Sequence, residues 1–258
     1  GSQLTIEPGL ERIESMAKPA IQSILESDSL AVQSSEDKAK LSIFLAVQFF
    51  RTKWFREQFR SMPRQLERVM RQKEGDDADL SGIADYFRVP DDNELVVHTH
   101  NFIQRHSEEF AKQFANKVWV LAATDSKIPF LIGDHPIGLQ NRTDMEPFGN
   151  LGLAVKGIDI YFPLSPRRAL AMWCPSLLQS LQGATQVFGT SSEASQILAA
   201  VESGRPLQYS PANVMNFNSL QIAHAERFVF SAVDDFSLAK TMLAEHPALR
   251  SGPRGRMT

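Results

Sequence analysis

Lys117-Val118-Trp119-Val120-Leu121-Ala122 is where this chain changes character. Before it, apolar residues return every three or four positions, the period of a helix face. From it onward they come in short unbroken runs between turn residues, the pattern of strands. That change of period predicts an α+β fold, with an N-terminal helical lobe packed on a mostly antiparallel sheet and further helices towards the C-terminus. The reading assigns 1–116 to the helical lobe and 117–250 to the sheet lobe, together one compact domain, and 251–258 to a disordered tail.

Upstream of that boundary, Leu10, Ile13, Ala17, Ile21 and Ile24 mark a first helix with Pro8 in its first turn. A longer one starts at Ser34 or Ser35 and carries Leu41, Phe44, Leu45, Gln48, Phe55, Phe59, Met62, Leu66 and Val69. Pro63 inside that pattern predicts a kink or a break. A third helix is expected over roughly 99–116, with Phe102, Ile103, His106, Phe110 and Phe114 on one face. The acidic stretch Glu74 to Glu94 reads as a mobile loop holding one short helix near Ile83.

Downstream, Phe130-Leu131-Ile132 and Ile137-Gly138-Leu139 read as strands, and 159–164 and 169–173 as a strand pair joined by the turn Ser165-Pro166-Arg167-Arg168. Helices are expected at 191–202, 211–225 and 235–245, with a last strand from Arg227 to Ser231.

Of 258 residues, 43% are hydrophobic and 22% charged, the composition of a globular domain with a sizeable core. A net charge of only -3 argues against a protein built to grip phosphate backbones. No apolar run approaches the ~20 residues that span a bilayer, so no membrane partner is expected. The single cysteine, Cys174, excludes an internal disulfide framework and a multi-cysteine metal site; it reads as a buried, unactivated thiol. Cytoplasm is the default compartment, and the opening Gly1-Ser2 reads as a tag remnant.

Chemistry is concentrated in Phe130-Leu131-Ile132-Gly133-Asp134-His135-Pro136-Ile137, where an apolar segment ends in an acid–imidazole pair. Asp134 and His135 would bind a divalent metal or act as base and orienter, or Asp134 would simply accept N–H groups at a turn. His98-Thr99-His100 places two imidazoles on one side of an extended segment, a weak metal signal beside the plainer reading of a helix-capping stretch. Arg56, Arg60, Arg64, Arg68 and Arg71 recur at helical spacing, either as an anion-binding stripe or as a solvated face opposed to the acidic stretch. Gln48 and Arg51 stand in the apolar run Ala46-Val47-Gln48-Phe49-Phe50-Arg51 and need partners, whether bracing the sheet or lining a cleft; Asn216, Asn218 and Gln221 raise the same question. No phosphate-cradling glycine loop, nucleophile elbow or zincin helix is present.

Several segments together resemble the Domain of Unknown Function 4238 family, a widespread and mainly bacterial group. They are Glu11 to Ile24, Leu45-Ala46-Val47-Gln48-Phe49-Phe50-Arg51-Thr52, Val118-Trp119-Val120-Leu121, the stretch Phe130 to Pro136, Pro163-Leu164-Ser165-Pro166, and Asn218 to Ser231. The family's central Ser-Asp-Asn-Pro is Gly133-Asp134-His135-Pro136 here, which keeps the Asp and the Pro. The family's opening His-His…Pro…Tyr-Leu segment is absent from this sequence, so a family site that needs it would be incomplete. The resemblance implies fold and site position rather than an activity.

The resulting expectation is a polar cleft between the lobes, centred on Asp134 and His135, with Gln48, Asn218 and Gln221 binding substrate. As an enzyme, the chain would perform metal-assisted phosphoester hydrolysis, with Asp134 and His135 as ligands of a divalent metal and as base and acid, and Arg51 clamping the anion. The alternative is a non-enzymatic interaction module, in phage defence or another accessory system. It would dock an anionic ligand or a protein partner at the Arg56–Arg71 helix.

Overall fold

Side chains alternate along a strand, and here that alternation divides the sheet's two faces between two helical layers. The computed structural model describes residues 7–75, 79–125, 127–142, 152–189 and 192–250. The helices α1 (Glu7–Ser27), α2 (Ser35–Phe50), α3 (Lys53–Glu74) and α4 (Asp92–Ala115) come first, with a 3₁₀ helix at Ser81–Phe87. The strands β1 (Val118–Ala123), β2 (Ile132–Gly133), β3 (Gly138–Asn141), β4 (Ile158–Ser165) and β5 (Arg168–Trp173) follow. The chain then alternates through α5 (Pro175–Phe188), α6 (Glu193–Ser203), β6 (Leu207–Gln208), α7 (Pro211–His224), β7 (Val229–Phe230) and α8 (Ser237–Glu245).

The main sheet has the order β3-β4-β5-β1-β6; it is antiparallel except where β6 pairs parallel to β1. β2 and β7 form a separate antiparallel ribbon. The fold is therefore α+β with a mostly antiparallel sheet.

On one face Trp119, Leu121, Ile158, Ile160, Phe162, Leu170 and Met172 pack against Ile24, Leu45, Phe50 and Phe114 of α1, α2 and α4. On the other, Val120, Ala122, Tyr161, Ala169, Ala171 and Trp173 meet Val214 and Phe217 of α7, with Leu177 and Leu181 of α5 and Ile197 and Val201 of α6 alongside. Each of the fully buried Val, Leu, Ile, Phe and Met side chains among them contributes about 1.5–3 kcal/mol. The C-terminal helices thus cover the sheet face opposite the N-terminal ones.

Helix boundaries follow local chemistry. Ser34 caps α2 through a reciprocal pair: its hydroxyl accepts from Asp37 N–H, and the Asp37 carboxylate accepts from Ser34 N–H. The break expected at Pro63 occurs instead at Arg51-Thr52. Thr52 is extended and its hydroxyl accepts from Phe55 N–H, which starts α3, while Pro63 lies inside that helix and removes only one N–H donor. Phe55 and Phe59 pack on Phe102, and farther along α3 Met62 and Leu66 remain exposed.

α4 starts earlier than expected, because Asp91 and Glu94 form a second capping box out of the acidic stretch. His98 and His100 are consequently helical, and residues two apart on a helix diverge by about 200°, so the shared extended edge expected for them does not exist. Helix α5 was not anticipated, although Pro175 in its first turn and Leu177 and Leu181 four apart are ordinary helix signals. Phe130-Leu131-Ile132 and Arg227–Ser231 supply only the two-residue strands β2 and β7.

Among the described residues no helix is long and apolar enough to cross a membrane. The tail 251–258, read as disordered, and residues 76–78 of the stretch read as mobile lie outside the described residues.

Candidate functional site

The segment 129–136 crosses the molecule with few strand partners, and α7 satisfies its backbone through side chains. Asn218 Oδ1 accepts from Leu131 N–H at 2.8 Å, and its Nδ2 donates to Pro129 C=O at 2.9 Å. One turn on, Gln221 Oε1 accepts from Gly133 N–H at 3.0 Å, and its Nε2 donates to Pro136 C=O at 2.9 Å. Two amides spaced i, i+3 on a helix therefore replace a neighbouring strand, which is why the apolar run does not extend β2. The approach is close: a Cβ on Gly133 would lie 3.0 Å from Gln221 O and 3.2 Å from Ala225 Cβ.

Asp134 is committed to a distant turn. Its Oδ1 accepts from Glu226 N–H at 2.7 Å and its Oδ2 from Arg227 and Phe228 N–H at 2.9 and 3.3 Å, while its own N–H donates to Phe228 C=O. The carboxylate thus organises the passage from α7 to β7.

His135 is fully buried. Its ring stacks on Trp54 with centroids 4.6 Å apart and faces His224 at 5.9 Å. Nδ1 lies 2.7 Å from the Thr52 hydroxyl, and Nε2 has no partner among the described residues. Burial, and secondarily the neighbouring His224, holds the imidazole well below its usual range, so it is neutral at pH 7.

These surroundings do not suit a metal. Both Asp134 oxygens are taken by amides, one His135 nitrogen faces Thr52, and the other is sealed in an aromatic stack. Among the described residues no group of three or more His, Cys, Asp or Glu side chains could hold a metal ion.

The cleft expected from sequence separates into two places. Asp134, His135, Asn218 and Gln221 gather around 129–136. Gln48 and Arg51 instead face α1, where Arg51 pairs with Glu14 at 2.5 Å and Gln48 lines a groove between α1 and α2. No hydrogen bond or ion pair among the described residues joins Arg51 to Asp134. The nearest connection is Thr52, next to Arg51 in the chain and against His135 in space.

The cationic helix is α3. Arg60 pairs with Glu57 and Asp92, and Arg71 with Glu67, whereas Arg64 and Arg68 are exposed and have no carboxylate partner among the described residues.

Cys174 differs from the inert thiol expected. Burial pushes the thiol up, but the Ser176 hydroxyl at 3.1 Å, the Gly157 N–H at 3.2 Å and the Lys117 charge together bring it below its ordinary value. The signal was legible in part, since Pro175 places Cys174 at the start of a helix.

The family model described as a protein of unknown function (DUF4238) matches residues 1–235. The chain belongs to this family. No curated protein and no solved structure matches it. Three of the segments that resemble the DUF4238 family, 45–52, 130–136 and 218–231, meet in space. Thr52 meets His135, Asn218 and Gln221 hold 129–136, and Asp134 holds 226–228. Only α8 among the helices named above lies wholly beyond the DUF4238 match.

Proposed function

We propose that this chain is a non-enzymatic interaction module that docks an acidic protein segment along α3. The observation that carries the reading is the pair Arg64 and Arg68, one helical turn apart, exposed and unneutralised on a helix whose other arginines at 60 and 71 are paired internally. Two adjacent guanidinium groups without carboxylates form an anion-binding surface. The chain's net charge of -3 favours a local acidic peptide over a nucleic acid, which would repel the rest of the surface. Metal-assisted phosphoester hydrolysis has less support, because the carboxylate it requires is already saturated by three amides.

The test is fluorescence anisotropy with a labelled glutamate-rich peptide at about 20 mM and about 200 mM salt, alongside a DNA duplex of equal charge. The reading expects the peptide to bind at low salt and to weaken at least about tenfold at high salt. It also expects Arg64→Glu with Arg68→Glu to abolish binding. No binding at low salt, an unaffected double variant, or tighter binding of the duplex would each overturn it.

A further inference from the structure

The ribbon of β2 and β7 is covered on one face and along one edge. A Cβ on Gly133 would point at Gln221 O and Ala225 Cβ, so the face that holds Gly133 and its cross-strand partner Val229 lies against α7. The outer edge of β2 is closed by the Asn218 and Gln221 amides. The other face carries Ile132, Phe228 and Phe230. These two phenylalanines are 57% and 56% exposed, with ring centroids 6.2 Å apart.

The remaining edge is that of β7. Asp134 N–H donates to Phe228 C=O, so Phe228 and Phe230 turn their backbone groups towards β2, and Val229 between them turns its own away. Neither the N–H nor the C=O of Val229 has a partner among the described residues. Natural strand edges are usually blunted by a lysine, a proline or a bulge, and Phe228-Val229-Phe230 has none of these.

We propose that β7 pairs antiparallel with β7 of a second copy of this chain, joining the two ribbons into a four-stranded sheet across a two-fold axis. Such an axis requires a patch that complements itself, and this one does. With the two Val229 residues facing each other at the axis, each N–H donates to the other's C=O. That register sets Phe228 of one copy against Phe230 of the other on the exposed face, so four phenyl rings cover one another. Setting Phe230 against itself instead would leave Phe228 opposite Ala232 and cover less. No like charges are directly opposed, since Arg227 falls opposite Ser231 and Glu226 opposite Ala232. Arg227, which has no ion pair among the described residues, comes beside the other copy's 231–235 segment, where Asp234 and Asp235 lie.

A phenylalanine buries about 150–250 Å² when fully covered, so four half-exposed rings supply on the order of 400 Å². That is the small end of protein interfaces, and the dimer is reversible, with a Kd on the order of 100 μM. It uses the ribbon and leaves the α3 surface free.

The experiment is sedimentation velocity of the full chain from about 10 μM to about 1 mM, with amide hydrogen exchange at both ends of that range. A monomer at low concentration is expected to convert reversibly to a dimer, and exchange of the Val229 amide to slow at least about fivefold with it. Phe228→Ser with Phe230→Ser replaces two exposed side chains, keeps the fold, and is expected to raise the Kd at least about tenfold. Phe188→Asp, at another exposed aromatic residue 75% open to solvent on α5, is the control and should leave the dimer unchanged. A monomer throughout the range, a dimer that survives the double serine variant, a dimer lost in Phe188→Asp, or Val229 exchange that ignores dimer formation would each overturn the inference.

Discussion

The Thr52 hydroxyl oxygen lies 2.7 Å from His135 Nδ1, and this contact ties the break between α2 and α3 to the turn after β2. The same oxygen is 3.1 Å from Phe49 C=O and accepts from Phe55 N–H. A hydroxyl has one proton, so when it donates to Phe49 C=O it can only accept from His135 Nδ1–H, which sets the tautomer of the imidazole. Local helix chemistry and a contact across 83 residues are therefore coupled through one atom.

Replacing Thr52 by valine keeps the volume while removing the helix cap and the polar partner of His135. A loss of about 2 kcal/mol is expected from the urea unfolding midpoint. Thr52→Ser, which retains the hydroxyl, should recover most of it.

His135 makes stability depend on pH. Its folded-state imidazole is depressed, so in the window below the unfolded value of about 6.5 the unfolded chain binds the extra proton. Stability from this group is present above about pH 6.5 and is lost as pH falls towards the folded value, with a limiting slope of about 1.4 kcal/mol per pH unit. His135→Phe preserves the stack on Trp54 and should flatten the denaturation midpoint between about pH 7 and pH 5.

Asp134→Ala strands three backbone N–H groups at 226–228. About 2–3 kcal/mol of stability should be lost in thermal melts, with faster amide exchange at those three positions. Asp134→Asn keeps one acceptor oxygen and should fall between the two.

Gly204 ends α6 at φ +66°, and a Cβ there would lie 2.5 Å from Ala31 N. Its carbonyl also accepts from Leu30 N–H at 2.8 Å, so the backbone cannot withdraw without losing that bond. Gly204→Ala is expected to cost more than about 2 kcal/mol. Gly183, inside α5 with open space around it, is the control. Gly183→Ala should be neutral or stabilise by up to about 1 kcal/mol, measured by the same melts.

The sequence made the layers of this fold more legible than its polar contacts. Leu10, Ile13, Ala17, Ile21 and Ile24 marked α1 because a helix repeats its core face every three or four residues, and the turn at 165–168 was visible between two apolar runs. The extended edge on which a metal site at His98 and His100 would depend is replaced by helix, because the Asp91–Glu94 capping box starts α4 upstream of them. The apolar run at 130–132 read as a strand because periodicity reports burial, not which groups take up the backbone hydrogen bonds; here Asn218 and Gln221 do so. Arg51 stood near the right polar neighbours in the chain, but its guanidinium turns to Glu14, a choice that depends on how α1 lies against α2.

By itself the sequence determined the alternation that sorts Leu121 and Val120 to opposite faces, and the caps at Ser34 and Asp91, because these act within a few residues. Tertiary structure alone decided that Asp134 would hold 226–228, that Thr52 would meet His135, and that Gln48 would border a groove. A polar side chain announces that it needs a partner, but the partner's identity is set by which element packs across from it. That geometry exists only once α7 has docked beside β2 and α1 against α2.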